Sequence, residues 1–490
     1  MSVIAPPRDL QLGGEPGQPA GGGSLSKLVT VLAVGLAAGA AAASGMSVGH
    51  GSKLAVVLPL AAVAGVGLGL LALTRFQVYV MLMLVLRASL DLAKLSGPAA
   101  GNTATNTAGS RALDPASILA VLFLLAAALW LAAQHRQQGR LPGSPLRRAL
   151  VVYVAAAVLS TLGSAHPQAS GLEVLRILSV VAMFAVLEQM MVDEIATRQL
   201  LAAAFLSTVF PLAFTTFGYL MGSPPTEAKG SFLRVTGPFN QSNTFGRYLM
   251  LMVIFGFALY PHLSRRLRLP MAVLLAGCGG FLLLTYTRTA ILGTVIGLVI
   301  VGLVQSKRLL LGLVVAAFCA LLLVPQLSGR FTSVTDLSST GSQPSDNNSL
   351  VWRLNYWTEV LPLANANPVT GIGLDMTQYN TDAAKQPHND FIRAYVEMGL
   401  IGLGAYLAVL IALVGLGRRA VRASPSGTFD RGIAAGFLGC AVAFVAVSAS
   451  ANITSNVVSL WYLFAFAAAA SGVVRRRHAQ TGAPASTPVP

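Results

Sequence analysis

Charged side chains are scarce in this chain. They make up 10% of its 490 residues, whereas 54% are hydrophobic, and the mean hydropathy is +0.69. A soluble domain carries about 25% charged residues, so an ordinary soluble protein is excluded before any motif is read. Acidic residues are the scarcer sign, 17 Asp and Glu against 33 Lys and Arg. The net charge of +16 raises nucleic acid as a partner. The basic residues, however, fall in short clusters between apolar runs and form no single stripe, which is the pattern of membrane topology. No nucleic-acid partner is expected.

Cysteine is nearly missing. Cys278, Cys319 and Cys440 all lie inside apolar runs, where they read as small buried hydrophobes; no disulfide framework, zinc set or redox pair is indicated. There is no Walker-type glycine loop, which argues against ATP drive within the chain. Nor is there an internal repeat of the kind many transporters carry.

Apolar sequence is abundant. Runs near the length needed to cross a hydrocarbon core, about 20 residues, recur near Leu28–Met46, Leu54–Thr74, Gln77–Lys94, Ile118–Ala133, Ala149–Ala165, Leu172–Val192, Ile195–Met221, Phe245–Leu263, Met271–Tyr286, Ala290–Gln305, Leu309–Leu327, Ala394–Gly415, Gly432–Ser450 and Val457–Val474. The sequence therefore predicts an all-α polytopic transmembrane helix bundle of about 12–14 spans over residues 27–474. Polar tails at 1–26 and 475–490 have a disordered composition. The first apolar run follows a long polar leader and is read as a retained span, not a signal peptide.

With a cytoplasmic N-terminus, every second connection should carry the Lys/Arg excess. Those at Arg136–Arg148, Arg265–Arg268, Lys307–Arg308, Arg418–Arg431 and Arg475–Arg477 do. The expectation is a multi-pass protein of a bacterial cytoplasmic membrane with both termini cytoplasmic and two long external loops, 222–244 and 328–393. Loops of that length are usually functional or disordered. The second contains a helix signal: Asn348 or Ser349 as cap, then Leu350, Leu354, Trp357 and Leu361 on one face, ended by Pro368. It reads as a short amphipathic helix over the outer leaflet or the mouth of the bundle.

Of the six histidines, only His388 is expected in an external loop at a membrane junction among polar neighbours. Pro387 suits a first helical turn, so His388 is expected to start the helix that becomes a span. Asp390 and Arg393, and Arg393 and Glu397, are spaced to pair. On position alone two readings stand: "PHND" caps a helix while Arg393 snorkels to lipid phosphates, or the histidine does chemistry at the membrane surface. Arginines at external span ends weigh on that choice: Arg234, Arg247, Arg288 and Arg353. Arg234, Arg288 and Arg353 break the positive-inside rule, and Arg288 interrupts two apolar runs with almost no loop to carry it, which marks a functional candidate. A guanidinium presents a planar fork that fits phosphate oxygens, so several converging arginines suit a lipid pyrophosphate. Ordinary headgroup contact is the other reading, strongest for Arg247 and Arg353.

The stretches "RVTGPFNQSNTFGRYLML", "TYTRTAILG", "NPVTGIGLDM" and "PHNDFIRAYVEMGLIGLGAYL" together resemble the O-antigen ligase and O-antigen polymerase superfamily of polytopic glycosyltransferases. The likeness covers about Arg198 to Leu413; the order and spacing of the motifs make it specific. It implies transfer of a glycan from an undecaprenyl-pyrophosphate carrier to a hydroxyl acceptor on the external side of the membrane, without metal, other cofactor or nucleotide-sugar donor. It implies that Arg234 and Arg288 bind the pyrophosphate and that His388 is the general base. Arg247, Arg353, Asp390, Arg393 and Glu397 are candidate supporting residues. Expected partners are the lipid-linked donor, a glycan or glycolipid acceptor and membrane lipids. Glu397 reads as a partner of Arg393 or Arg288; Asp375, Asp382 and Asp390 are candidates by residue type only. Ligase and polymerase share these motifs. The competing classes are a lipid-linked glycan flippase and a non-enzymatic scaffold.

Overall fold

A computed structural model describes residues 65–89, 115–139, 141, 143–229, 232–306 and 349–482. The expected spans Leu28–Met46 and Leu309–Leu327, the N-terminal tail, the first part of Leu54–Thr74, residues 328–348 of the long loop and the last eight residues of the C-terminal tail lie outside them. By contacts the chain divides into Met1–Tyr79 and Val80–Pro490. In the first unit the described residues are helical over Gly65–Thr74 and again from Phe76.

The helices are α1 (Phe76–Arg87), α2 (Pro115–Gln138), α3 (Pro145–Thr161), α4 (Pro167–Met190), α5 (Glu194–Leu206), α6 (Val209–Leu220), α7 (Ser242–Leu259), α8 (Arg265–Leu284), α9 (Arg288–Gln305), α10 (Ser349–Val360), α11 (Asp390–Ala423), α12 (Phe429–Ser448) and α13 (Val457–Gly482). Among the described residues, eight segments are long and apolar enough to cross a membrane, α5 and α6 counting as one. The fold is the expected all-α polytopic bundle. An antiparallel hairpin, β1 (Thr226–Lys229) and β2 (Phe232–Val235), interrupts it.

Local chemistry sets the helix starts. Ser144 caps α3 by accepting from the Arg147 amide, and Pro145 occupies the first turn, where a missing N–H costs nothing. Asp193 caps α5 at 2.7 Å from the Ala196 amide, and Thr428 caps α12.

α13 sits at the centre, with 89% of its most apolar window buried, and α8 at the edge, with 11%. α13 packs on α4, α11, α12 and α7, while α9 packs on α12 and α7. Small residues permit the last contacts. A Cβ on Gly439 would lie 2.7 Å from the Gly297 carbonyl, and one on Gly297 would lie 2.4 Å from Ile254. Without a hydrophobic drive between helices in lipid, close backbone approach of this kind is a main source of association.

The two ends of the bundle differ in chemistry. One collects basic connections: Arg147 pairs with Glu188, Arg475 donates to the Glu188 carbonyl, Arg476 and Arg477 hold Asp430, and Arg431 donates to the Val304 carbonyl. The other gathers the hairpin, the α8–α9 turn, residues 361–389 and the α12–α13 connection. The helices α7, α9, α11 and α13 all begin there, so their positive dipole ends point to one side.

Helix α11 is broken at Gly399, whose φ of 64° and ψ of −163° belong to a region essentially restricted to glycine. Broken backbone in a membrane span must find hydrogen-bond partners in protein. The motif "NPVTGIGLDM" provides them. Ile372 and Gly373 amides donate to the Val396 and Glu397 carbonyls at 3.0 and 3.1 Å, and the Leu400 and Ile401 amides donate to the Pro368 and Val369 carbonyls at 2.9 and 3.3 Å.

Candidate active site

The hairpin carries the first arginine. Arg234 faces Glu227 across the ladder, and Glu227 accepts from the amide and hydroxyl of Ser242, the first residue of α7. Arg234 is only 3% exposed. Its Nε donates to the Thr285 carbonyl at 2.8 Å, and its Nη2 to Asn243 Oδ1 at 2.8 Å and Thr287 Oγ1 at 2.9 Å. One guanidinium therefore joins the hairpin, the start of α7 and the α8–α9 turn. Within that turn Tyr286 has a φ of 48°, and Arg288 follows Thr287 as the first residue of α9. Gly246 lets the turn approach α7: a Cβ there would meet Thr285 Oγ1 at 2.9 Å.

Three further arginines crowd the same end. The Arg353 guanidinium, on α10, is pushed down from its ordinary range first by burial and then by the positive charge of Arg288. Arg247, on α7, is buried; it lies within electrostatic reach of Arg353 and Asp390 and donates from Nη1 to the Asn452 carbonyl at 3.2 Å. Arg353 thus feels positive charge from both Arg288 and Arg247, and together with four helix N-termini this concentrates positive potential at one end of the bundle, an arrangement that favours an anion.

His388 adjoins this region. Its Nδ1 is 3.5 Å from the Asn452 amide nitrogen, and its ring meets Trp352 edge-on at 5.9 Å. Trp352 stacks on Tyr356 at 5.0 Å and carries Lys385 over its ring. Helix α11 does not begin at His388: Asn389 is the cap, accepting from the Phe391 and Ile392 amides at 2.9 and 3.2 Å. His388 precedes the cap with a φ of 55°, a left-handed conformation that costs about 1–3 kcal/mol for such a residue and persists only where neighbours impose it. Here the Trp357 indole holds the Pro387 carbonyl at 2.7 Å and Asp390 is fixed on the other side. The expectation that Pro387 opens the helix fails because Asn389 is the stronger cap.

The amphipathic face of α10 also differs from expectation. Tyr356 and Val360, with Ala364 in the turn that follows, form the buried side with Val396, while Leu354 and, just past the helix, Leu361 are exposed. The side chain of Leu350 lies outside the described residues. The Tyr356 hydroxyl, in contact with Thr381 and the Lys385 carbonyl, anchors the loop leading to His388.

Arg393 does not reach for lipid. It is buried among three carboxylates, with Nη2 3.0 Å from Glu173 and 3.6 Å from Asp375, and Nε 3.0 Å from Glu397. Glu397 is fully buried and also accepts from the Asp375 amide and the Thr377 hydroxyl. Among the described residues, the ion pairs of Arg393 go to those three carboxylates and not to Asp390. Asp390 accepts instead from the Ile453 amide at 3.0 Å and the Thr454 hydroxyl at 2.5 Å. Asp390, Arg393 and Glu397 thus brace the site from below. The exposed Asp382 accepts nothing from this network; its amide donates to Glu359.

Residues 270–407 match a family model described as O-Antigen ligase. The match supports a place for this chain in the O-antigen ligase superfamily. No curated protein matches the chain. The O-antigen ligase match begins in α8 and ends in α11, so it contains Arg288, Arg353, His388 and the Gly399 break but neither Arg234 nor Arg247. As the general activity it supports cell-surface glycan transfer by a multi-pass membrane enzyme.

Sequence reasoning missed Glu173, Asn243, Thr287 and the run Asn452–Ser455. A signal existed: Glu173 is a carboxylate within an apolar span, and "SASANITSN" is densely polar between two spans.

Proposed function

We propose that this protein transfers a glycan from an undecaprenyl-pyrophosphate-type carrier to a hydroxyl acceptor on the external face of a bacterial cytoplasmic membrane, with both termini cytoplasmic. The observation that carries this reading is the cluster of Arg247, Arg288 and Arg353 beside His388 at the end of the bundle opposite the basic connections. Arg288 grips the pyrophosphate. Arg234, already committed to Asn243 and Thr287, holds the turn that presents Arg288 and contributes its own charge. His388 takes the proton of the acceptor hydroxyl as that oxygen attacks the anomeric carbon from the side opposite the leaving group, inverting it. Preorganised guanidinium groups stabilise the charge that develops on the departing pyrophosphate; in this scheme they do the work a metal would otherwise do.

The test is His388→Ala at normal abundance in cells lacking the chromosomal copy. Transfer is expected to stop while the lipid-linked donor accumulates. Undiminished transfer would show that the base lies elsewhere. The same cells separate ligase from polymerase: long lipid-linked chains accumulate in the first case, single repeat units in the second.

A further inference from the structure

The connection between α12 and α13 brings main chain and side chain to the site in different ways. Its backbone is held at three residues, the Asn452 carbonyl by Arg247 and the Ile453 and Thr454 amides by Asp390, and next to them the Ser455 hydroxyl bonds to Gln386 and Arg393. The Asn452 side chain makes no part of that clamp. It is 8% exposed and faces His388 Nδ1 at 3.5 Å. With its nitrogen toward the ring, its Oδ1 is buried without a partner among the described residues. A half-turn about the Cβ–Cγ bond exchanges Nδ2 and Oδ1 within the same envelope. It brings the orphaned oxygen to Nδ1, where a neutral imidazole can offer an N–H.

We propose that Asn452 is the positioning residue of His388: Oδ1 accepts the Nδ1 proton and thereby selects the tautomer whose lone pair is on Nε2. The inference rests on the reading of His388 as general base. When the acceptor O–H bond breaks, its proton passes to Nε2 and its electron pair forms the bond to the anomeric carbon. The bond from that carbon to the pyrophosphate oxygen breaks with its pair on the leaving group. Throughout, Nδ1–H stays on Asn452, so the imidazolium that forms keeps its orientation and gains the amide dipole. The edge of Trp352 restrains the ring plane. Side-chain changes at residue 452 leave its carbonyl bond to Arg247 intact, which makes the two roles separable.

The experiment compares Asn452→Ala, Asn452→Asp and His388→Ala in membrane vesicles from cells lacking the chromosomal copy, which contain the accumulated lipid-linked glycan as donor. Alongside, 15N spectra of histidine-labelled purified protein are read against a His388→Gln sample that identifies the signal. Asn452→Ala is expected to lower turnover at least about tenfold and to shift the His388 proton from Nδ1 toward Nε2. Asn452→Asp, which still accepts from Nδ1–H, should restore most of the rate and the original tautomer. If His388→Ala is inactive but Asn452→Ala keeps both rate and tautomer, the assignment of Asn452 is overturned and the base reading stands. Equal losses in Ala and Asp variants with an unmoved spectrum also overturn it. Activity in His388→Ala overturns the reading beneath it.

Discussion

Substituting Gly399 by alanine tests how the membrane-embedded break in α11 is held. Two penalties combine. The φ of 64° and ψ of −163° are poorly accessible to alanine, at about 1–3 kcal/mol. A Cβ would also lie 2.2 Å from the Val369 carbonyl carbon and oxygen, so the loop 368–373 has to withdraw. That breaks four backbone hydrogen bonds, those of Ile372, Gly373, Leu400 and Ile401, at about 0.5–1.5 kcal/mol each. The expected loss is about 3–9 kcal/mol. Gly404→Ala, on the same helix, is the matched control: its Cβ meets nothing within 4 Å, and the change should be neutral or stabilising by up to about 1 kcal/mol. Thermal unfolding of both variants in one detergent, with glycan transfer measured in vesicles, gives the comparison. Matching melting curves would refute the view that this loop is locked into the break.

Arg288→Lys keeps the charge and removes the fork; transfer should fall about 10- to 100-fold at unchanged abundance, and unaltered turnover would return Arg288 to headgroup contact. Arg393→Leu strands Glu173, Asp375 and Glu397 without their shared cation. Such a loss costs about 3–5 kcal/mol, visible as poor accumulation and early melting. Tyr356→Ala should cost about 3 kcal/mol or more and Leu354→Ala less than about 0.5 kcal/mol, a contrast in melting temperature that checks which face of α10 is buried.

Much of the fold was legible because a bilayer restricts what a chain can do. Apolar runs of the right length become helices, and basic connections such as Arg475–Arg477 and Arg431 gather at one end. What escaped was whatever depends on a partner distant in sequence. Along α10 two overlapping stripes are plausible, and only the packing of Tyr356 and Val360 against Val396 selects one. The segment "EMGLIGLGAYL" offers Gly399, Gly402 and Gly404, and nothing local marks the first as the break. Arg393 and Glu397 were readable as an i, i+4 pair, but Glu173 was not readable as the third member. His388 stood out by its setting. The amide that faces it did not, because asparagine between two spans has the same local appearance as any turn residue.

The bond between Glu173 and Arg393 crosses 220 residues of chain, which gives translation an order of events to manage. A ribosome delivers the acid long before its cation, with Arg176 as an early companion. The pocket stays unfinished until residues 452–455 emerge, after all but one of the described helices have been made. A nascent chain halted before that point carries every arginine named here except the last few, yet holds His388 from one side only.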